Sequence, residues 1–182
     1  MPTVLSHPAV PLALGVGLGR GVIATRLLLA GVVVSALPDL DVLAFQWGVP
    51  YGSALGHRGF THSLCMAAAV ALVGAACSRW LGSAAAGTFA FLFSAMASHG
   101  LLDTLTDGGR GVALLWPWTG ERFFAPWAWR VIEVSPIGIT PFLSARGLAV
   151  LESELRWIWL PALAVSLILV GARRALGGST HP

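Results

Sequence analysis

The sequence predicts an all-α integral membrane helix bundle, on three observations. Of 182 residues, 56% are hydrophobic and 10% charged, whereas a soluble domain averages about 25% charged. The mean hydropathy is +0.79, so the chain lacks the polar surface to stay in water. Apolar stretches recur at Pro8–Leu37, Leu64–Leu81, Ala84–Leu102 and Trp157–Ala172. The second and third are rich in small residues (Ala67, Ala68, Ala69, Ala71 and Gly74; Ala84, Ala85, Ala86 and Gly87). Such residues let helix backbones approach closely, which is how membrane helices pack without a hydrophobic drive between them. The length suits one domain spanning residues 1–182.

Pro8–Leu37 is too long for one ordinary crossing of about 20 residues, and Gly15, Gly17, Gly19, Arg20 and Gly21 interrupt it. It reads as a helical hairpin: out to Leu18, a turn at Gly19–Gly21, back to Leu37, with Pro38 ending the return. Each arm is short, so tilt, local thinning or re-entry makes up the length. A single tilted helix is the competing reading. Asp39–Gly59 reads as a polar loop. Leu64–Leu81 and Ala84–Leu102 form a second antiparallel pair around Gly82–Ser83, and Trp157–Ala172 a last helix closed by Arg173–Arg174. That makes a hairpin plus about three further helices.

Residues 104–154 read as an interfacial loop region, because Trp116, Trp118, Trp127 and Trp129 crowd it as in a membrane aromatic belt. Short strands or a hairpin are expected at Val112–Trp118 and Arg130–Val134. No positive charge precedes the first apolar stretch, so a cleaved signal peptide is not expected. His181, in the polar tail, is given no role.

Eleven arginines and no lysine produce the net charge of +3. No basic stripe exists, which argues against nucleic acid as a partner. Arg20, Arg26, Arg79, Arg173 and Arg174 instead flank apolar runs as topology anchors. Arg20, Arg79, Arg173 and Arg174 occupy very short turns and termini, which favours a cytoplasmic position for that face. Cys65 and Cys77 form no CxxC and read as helix-packing residues.

Functional residues stand out because ionisable groups are scarce. His7, Asp39, Asp41, His57, His62, His99 and Asp103 all lie at or near the ends of apolar stretches, where charge is costly and a functional role is the default. The hairpin reading brings all seven to one membrane face. His99 and Asp103, four apart, stack on one helix face; a plain His–Asp hydrogen bond is the competing reading. His57 and His62, five apart, do not share a helix face, so one is expected on a loop and one in the first turn of the next helix. Thr61 or Ser63 is positioned to cap that helix. Asp39 and Asp41, alternating in an extended segment, would point the same way. His7, before Pro8, is the weakest candidate, readable as an interfacial residue.

Imidazole and carboxylate without thiolate suit Zn²⁺, with Mn²⁺ or Fe²⁺ as alternatives. Four ligands close a structural zinc site, so seven candidates imply two or three ions with open positions. Centres of that kind activate water and hold the oxygens of a phosphoryl transfer. Arg58 is a candidate for gripping phosphate or, equally, a headgroup anchor. Asp39 or Asp41 is a candidate proton acceptor.

At these residues the chain resembles the YdjM-like family of bacterial inner-membrane metal-dependent hydrolases. The resemblance rests on His7, Leu37-Pro38-Asp39-Leu40-Asp41, Gly56-His57-Arg58-Gly59-Phe60-Thr61-His62-Ser63-Leu64, Ser98-His99 with Asp103, and Gly111–Pro117. It implies a multi-pass inner-membrane protein, distantly similar to the all-helical zinc-dependent phospholipase C and P1 nuclease fold, with those seven residues as metal ligands. That soluble fold also uses a late Glu ligand, for which Glu121 and Glu133 are the nearest candidates. The leading expectation is a membrane phosphoesterase acting on a lipid or lipid-linked phosphate that arrives by lateral diffusion. The alternatives are amide or ester hydrolysis and a non-catalytic, metal-stabilised regulatory or scaffold protein. Transport fits less well, because the ligands gather at one face rather than along a pore.

Overall fold

The computed structural model describes residues 1–177, so His181 lies outside the described residues. Helix α1 spans Ala9–Leu18 and α2 spans Thr25–Ala36. The chain reverses at Gly19, whose φ of +78° suits a residue without Cβ. The expected hairpin is therefore present.

Pro38 does not stop the helical course as expected. The chain continues from Leu37 to Trp47 as a 3₁₀ helix with Pro38 in its first turn, where a missing N–H costs nothing. Thr25–Trp47 is thus one apolar helical span of 23 residues, and Asp39 and Asp41 sit on a tight helix, not on an extended strand.

A 3₁₀ turn at Phe60–His62 leads into α3, Leu64–Ala76. The Ser63 side chain caps α3 by accepting from the Met66 N–H at 3.1 Å. A break at Cys77 precedes the short α4, Ser78–Leu81, and Gly82 then turns the chain into α5, Ala85–Thr104. Helix α5 packs on both α3 and α2. Leu27, Ala67, Ala71, Phe91, Leu92 and Met96 form the core between them. Ala67 and Ala71 are buried in the α3 face, the close approach that small residues permit.

Residues 105–144 contain no strand. The expected strands reduce to two isolated bridges, Val112 with Phe123 and Thr106 with Ile132. Gly108, Gly109, Gly111, Pro117, Pro126 and Pro136 interrupt any longer ladder. Trp118, Trp127 and Trp129 are exposed on this region's surface.

Helix begins again earlier than the apolar run suggests. After a single turn at Ile139–Phe142 (α6), α7 spans Ala145–Glu154, a π-helical turn covers Leu155–Trp159, and α8 spans Leu160–Gly177. The ten residues of α7 therefore belong to the last helix, not to a loop. Its buried face is Gly147, Val150 and Glu154, a helical spacing that an uninterrupted apolar run does not reveal. Helix α8 packs on α1.

The far end of the bundle gathers the two turns and the C-terminal arginines. Arg26 Nη1 donates to the Trp80 carbonyl at 3.2 Å, and Gly19 abuts the Arg173 guanidinium. Counting from that end at 1.5 Å per residue, Asp39 on the α2 span and His99 on α5 lie about 21 Å along their helices. A hydrocarbon core is about 30 Å thick, so both residues stand towards its opposite boundary.

Candidate metal centre

Four separate parts of the chain deliver His and Asp side chains to one buried point. Asp39 comes from the 3₁₀ continuation of α2, His62 from the turn before α3, and His99 and Asp103 from α5. His7 comes from the segment preceding α1. Gly100 makes the approach possible: a Cβ there would lie 2.6 Å from the His62 carbonyl oxygen.

His7, His99 and Asp103 are fully buried and Asp39 and His62 nearly so. The His7 and His99 rings stack with centroids 3.5 Å apart. His7 Nε2 lies 3.5 Å from Asp39 Oδ2 and 3.9 Å from Asp103 Oδ1. His62 Nε2 faces His99 Nε2 at 3.0 Å and Asp103 Oδ2 at 3.4 Å. His99 Nε2 is 3.4 Å from Asp39 Oδ1. Two sets of three residues, His7–His99–Asp103 and Asp39–His57–His62, each bring one donor atom apiece within 4.8 Å of one another.

The opposite edges of the rings are anchored. His99 Nδ1 lies 2.7 Å from the Ser35 carbonyl, which only accepts, so this nitrogen carries the proton and Nε2 presents a lone pair inward. His57 Nδ1 is 2.6 Å from Asp41 Oδ1, and His62 Nδ1 is 3.2 Å from Asp41 Oδ2. Asp41 Oδ2 also accepts from the Thr61 hydroxyl at 2.8 Å and the Arg58 N–H at 3.2 Å. Asp41 thus stands behind two histidines, on the side away from Asp39. Successive residues of a 3₁₀ helix, three per turn, project in different directions, so carboxylates two apart diverge.

Arg58 is fully buried, which excludes the headgroup-anchor reading. Its Nε pairs with Asp103 Oδ2 at 3.1 Å, Nη1 donates to the Gly108 carbonyl at 3.1 Å and Nη2 to Thr106 Oγ1 at 2.9 Å. Gly109 is required beside it, since a Cβ there would lie 2.6 Å from Nη1. Of the guanidinium's five N–H groups, two donate to protein oxygens, and Nε faces Asp103 as an ion pair without a hydrogen bond.

Several contributors escaped the sequence reading. Arg122 Nη2 donates to the Ser53 carbonyl at 2.9 Å and Nη1 to the His57 carbonyl at 3.0 Å, holding the loop that carries His57. Glu154 is buried and accepts from the Thr3 backbone N–H, from Thr3 Oγ1 at 2.7 Å and from Ser6 Oγ at 2.7 Å. Trp159 Nε1 reaches the same Ser6 oxygen at 3.0 Å. Glu154, just before the π turn, and Trp159, at its end, both reach Ser6 and together pin the segment leading to His7. An acid amid apolar helix was the available signal. Glu121 is exposed and Glu133 pairs with Arg146 at 2.5 Å, so neither supplies the late Glu ligand.

Burial, followed by the neighbouring His99 imidazole, lowers His7 to a pKa of about 3, against the pull of Asp39 and Asp103. Burial also disfavours a charged His62, but the surrounding carboxylates Asp103, Asp39 and Asp41 outweigh it and raise this imidazole to about 10. Neither ring nitrogen of His7, nor any carboxylate oxygen of Asp39 and Asp103, makes a hydrogen bond among the described residues. Buried polar atoms of that kind carry a penalty of several kcal/mol unless something satisfies them. Inward lone pairs, orphaned carboxylates and the absence of thiolate from either set fit a divalent metal.

Fold and site together define a class: a multi-pass membrane helix bundle with a buried histidine–aspartate centre able to hold metal. Comparison with known proteins refines this. The chain belongs to the YdjM inner membrane protein family, whose pattern it matches over residues 1–177. It is similar to the inner membrane protein YbcI of Escherichia coli (strain K12), with 48% identity over 175 residues, covering 96% of this chain and 100% of the relative. No solved structure matches. With three helices among the described residues long and apolar enough to cross a bilayer, it is a multi-pass inner-membrane protein.

Proposed function

We propose that the protein is a metal-dependent membrane hydrolase of the phosphoesterase type, acting on a lipid or lipid-linked phosphate through a dinuclear centre. The observation that carries this reading is the pair of adjoining, buried three-residue donor sets, in which His7, Asp39 and Asp103 make no hydrogen bond of their own among the described residues. His7, His99 and Asp103 would hold one divalent ion and Asp39, His57 and His62 the other, with Zn²⁺ the best match and Mn²⁺ or Fe²⁺ alternatives. When bound, such ions supply Lewis acidity and an activated water.

The protein's own groups do the rest. Asp41 fixes His57 and His62 through their Nδ1 atoms and so leaves their Nε2 atoms as the ones to bind metal, the outer-shell role that sets ring orientation. Asp39 lies at the edge of the centre and lines a cavity beside it; its carboxylate accepts the proton of the attacking water. Arg58 offsets the Asp103 charge, and its N–H groups not donated to Gly108 and Thr106 would be the ones to meet a phosphate oxygen. Thr106 and Gly108 hold the guanidinium in that orientation.

The test combines elemental analysis of the purified protein with turnover of phosphate, carboxylic and amide esters. Two divalent ions per chain, and phosphate-ester hydrolysis lost on chelation and in Asp39→Asn, are expected. Carboxylic-ester or amide turnover without phosphate preference would replace the phosphoesterase assignment. A single ion whose removal unfolds the protein, with no substrate turned over, would establish the scaffold alternative.

A further inference from the structure

A cavity of about 400 Å³ opens beside the metal centre and shares Asp39 with it. That volume is in the range of small-molecule sites, roughly 300–1,000 Å³. Its walls come from three places: Met1–Leu5 ahead of His7, Ala36–Val42 around Asp39, and Ser135–Phe142 including α6. Asp39 is the single carboxylate in the lining, with Thr3 and Ser135 as the polar side chains; Met1 also lines it and brings a buried α-amino group near Asp39, and most of the rest is hydrocarbon. Val4, Leu5, Leu40 and Ile139 line the cavity and are also exposed. In a bilayer their exposed surface meets acyl chains or the headgroup boundary.

A cavity lined mostly with hydrocarbon and sharing one carboxylate with the candidate metal centre selects an amphiphile. A free phosphate has nothing to fill the apolar length, and a plain alkane has no use for Asp39. We propose that this cavity binds the hydrocarbon tail of a membrane lipid whose phosphate-bearing head stands at the His/Asp centre. The inference rests on the phosphate-ester reading of that centre. It adds that the tail is gripped by the protein, between the N-terminal segment and the Ser135–Phe142 loop, so that tail length contributes to selection. Of the three segments that border the cavity, Met1–Leu5 leads directly to His7 and Ala36–Val42 carries Asp39, so a seated tail places its own head at the ligands.

Photolabelling of the metal-loaded full chain in detergent tests this, using dodecyl phosphate with a diazirine at the far end of the tail. Saturable labelling of Val4, Leu5, Ile139 or Phe142 is expected, competed by unlabelled dodecyl phosphate at least tenfold better than by inorganic phosphate. Ala36→Phe and Ile137→Trp, which fill the cavity from opposite walls, should each reduce labelling several-fold with metal content unchanged; if one fails to fold, the other decides. Labels spread over the outer faces of α1 and α8, insensitive to competitor and to both variants, would overturn the proposal. Saturable cavity labelling without ester turnover would leave the tail site standing and remove the phosphoesterase reading. Turnover of a short, soluble phosphate ester without saturable tail labelling would do the reverse.

Discussion

Replacing Asp41 by Asn separates a metal ligand from a residue that orients ligands. Both carboxylate oxygens of Asp41 face donors: His57 Nδ1 on Oδ1, and His62 Nδ1, the Thr61 hydroxyl and the Arg58 N–H on Oδ2. An amide of the same shape retains one acceptor and turns an NH₂ towards the other group of donors. One histidine therefore loses its anchor and its fixed tautomer, while the inward-facing donor atoms all remain. Loss of an outer-shell partner of this kind costs 10–100-fold in metal affinity, about 1.4–2.7 kcal/mol. The assay is competition against a graded chelator, with bound metal counted by elemental analysis. His99→Ala is the comparison, because it deletes an inward-facing nitrogen and should abolish one ion outright. The reasoning fails in either of two ways. Asp41→Asn binding within twofold of the parent protein would mean the anchors do not matter. Loss of one whole ion, as in His99→Ala, would mean that Asp41 coordinates metal directly.

Two further outcomes follow from the same geometry. His62, raised to about 10, holds a proton at neutral pH, whereas His7, lowered to about 3, does not. A metal taking the His62 nitrogen must displace that proton, so apparent affinity should rise about tenfold per pH unit from pH 6.5 towards 10. Calorimetry in buffers of different ionisation enthalpy should detect the released proton, and a flat pH profile would contradict the account. Glu154→Gln turns an amide NH₂ towards the donors of Thr3 and Ser6, costing roughly 1–3 kcal/mol. It should lower Tm and expose the first seven residues to protease while α5 stays protected; unchanged proteolysis would show that Glu154 does not pin this segment.

How much the sequence disclosed differs between fold and site. The hairpin and the α3–α5 pair are legible because glycine, proline and arginine punctuate apolar runs that cannot be soluble. Helix α7 is not, since its Glu152, Glu154 and Arg146 hide a buried face of period about 3.6. The convergence of His7, Asp39, His62, His99 and Asp103 follows from topology alone: antiparallel arms return their ends to one face. The division of labour does not, because it depends on local geometry. Whether Asp41 lies beside Asp39 or behind it turns on an extended versus a 3₁₀ backbone, and Pro38 permits both. Glu154, distant in sequence from every histidine, becomes visible only once α8 is seen against α1.

Charge balance connects the metal count to what the centre can do. Asp39, Asp41 and Asp103 bring three negative charges into a site nearly closed to water; Arg58 and a protonated His62 return two. Arg122 lies one layer out, on the carbonyls of Tyr51, Ser53, His57, Arg58 and Gly111. One divalent ion that displaces the His62 proton would bring this set to neutrality, and a neutral, fully ligated site asks for nothing more. A second ion would leave two uncompensated positive charges in a low-dielectric setting, where an isolated charge costs several kcal/mol. Such a centre is stable only with an anion in it, and a phosphate monoester dianion carries the matching charge. The tail cavity beside Asp39 would then supply that anion from the bilayer. Stoichiometry therefore discriminates the readings on electrostatic grounds: one ion makes the centre a brace between α2, α3 and α5, and two make it an anion receptor.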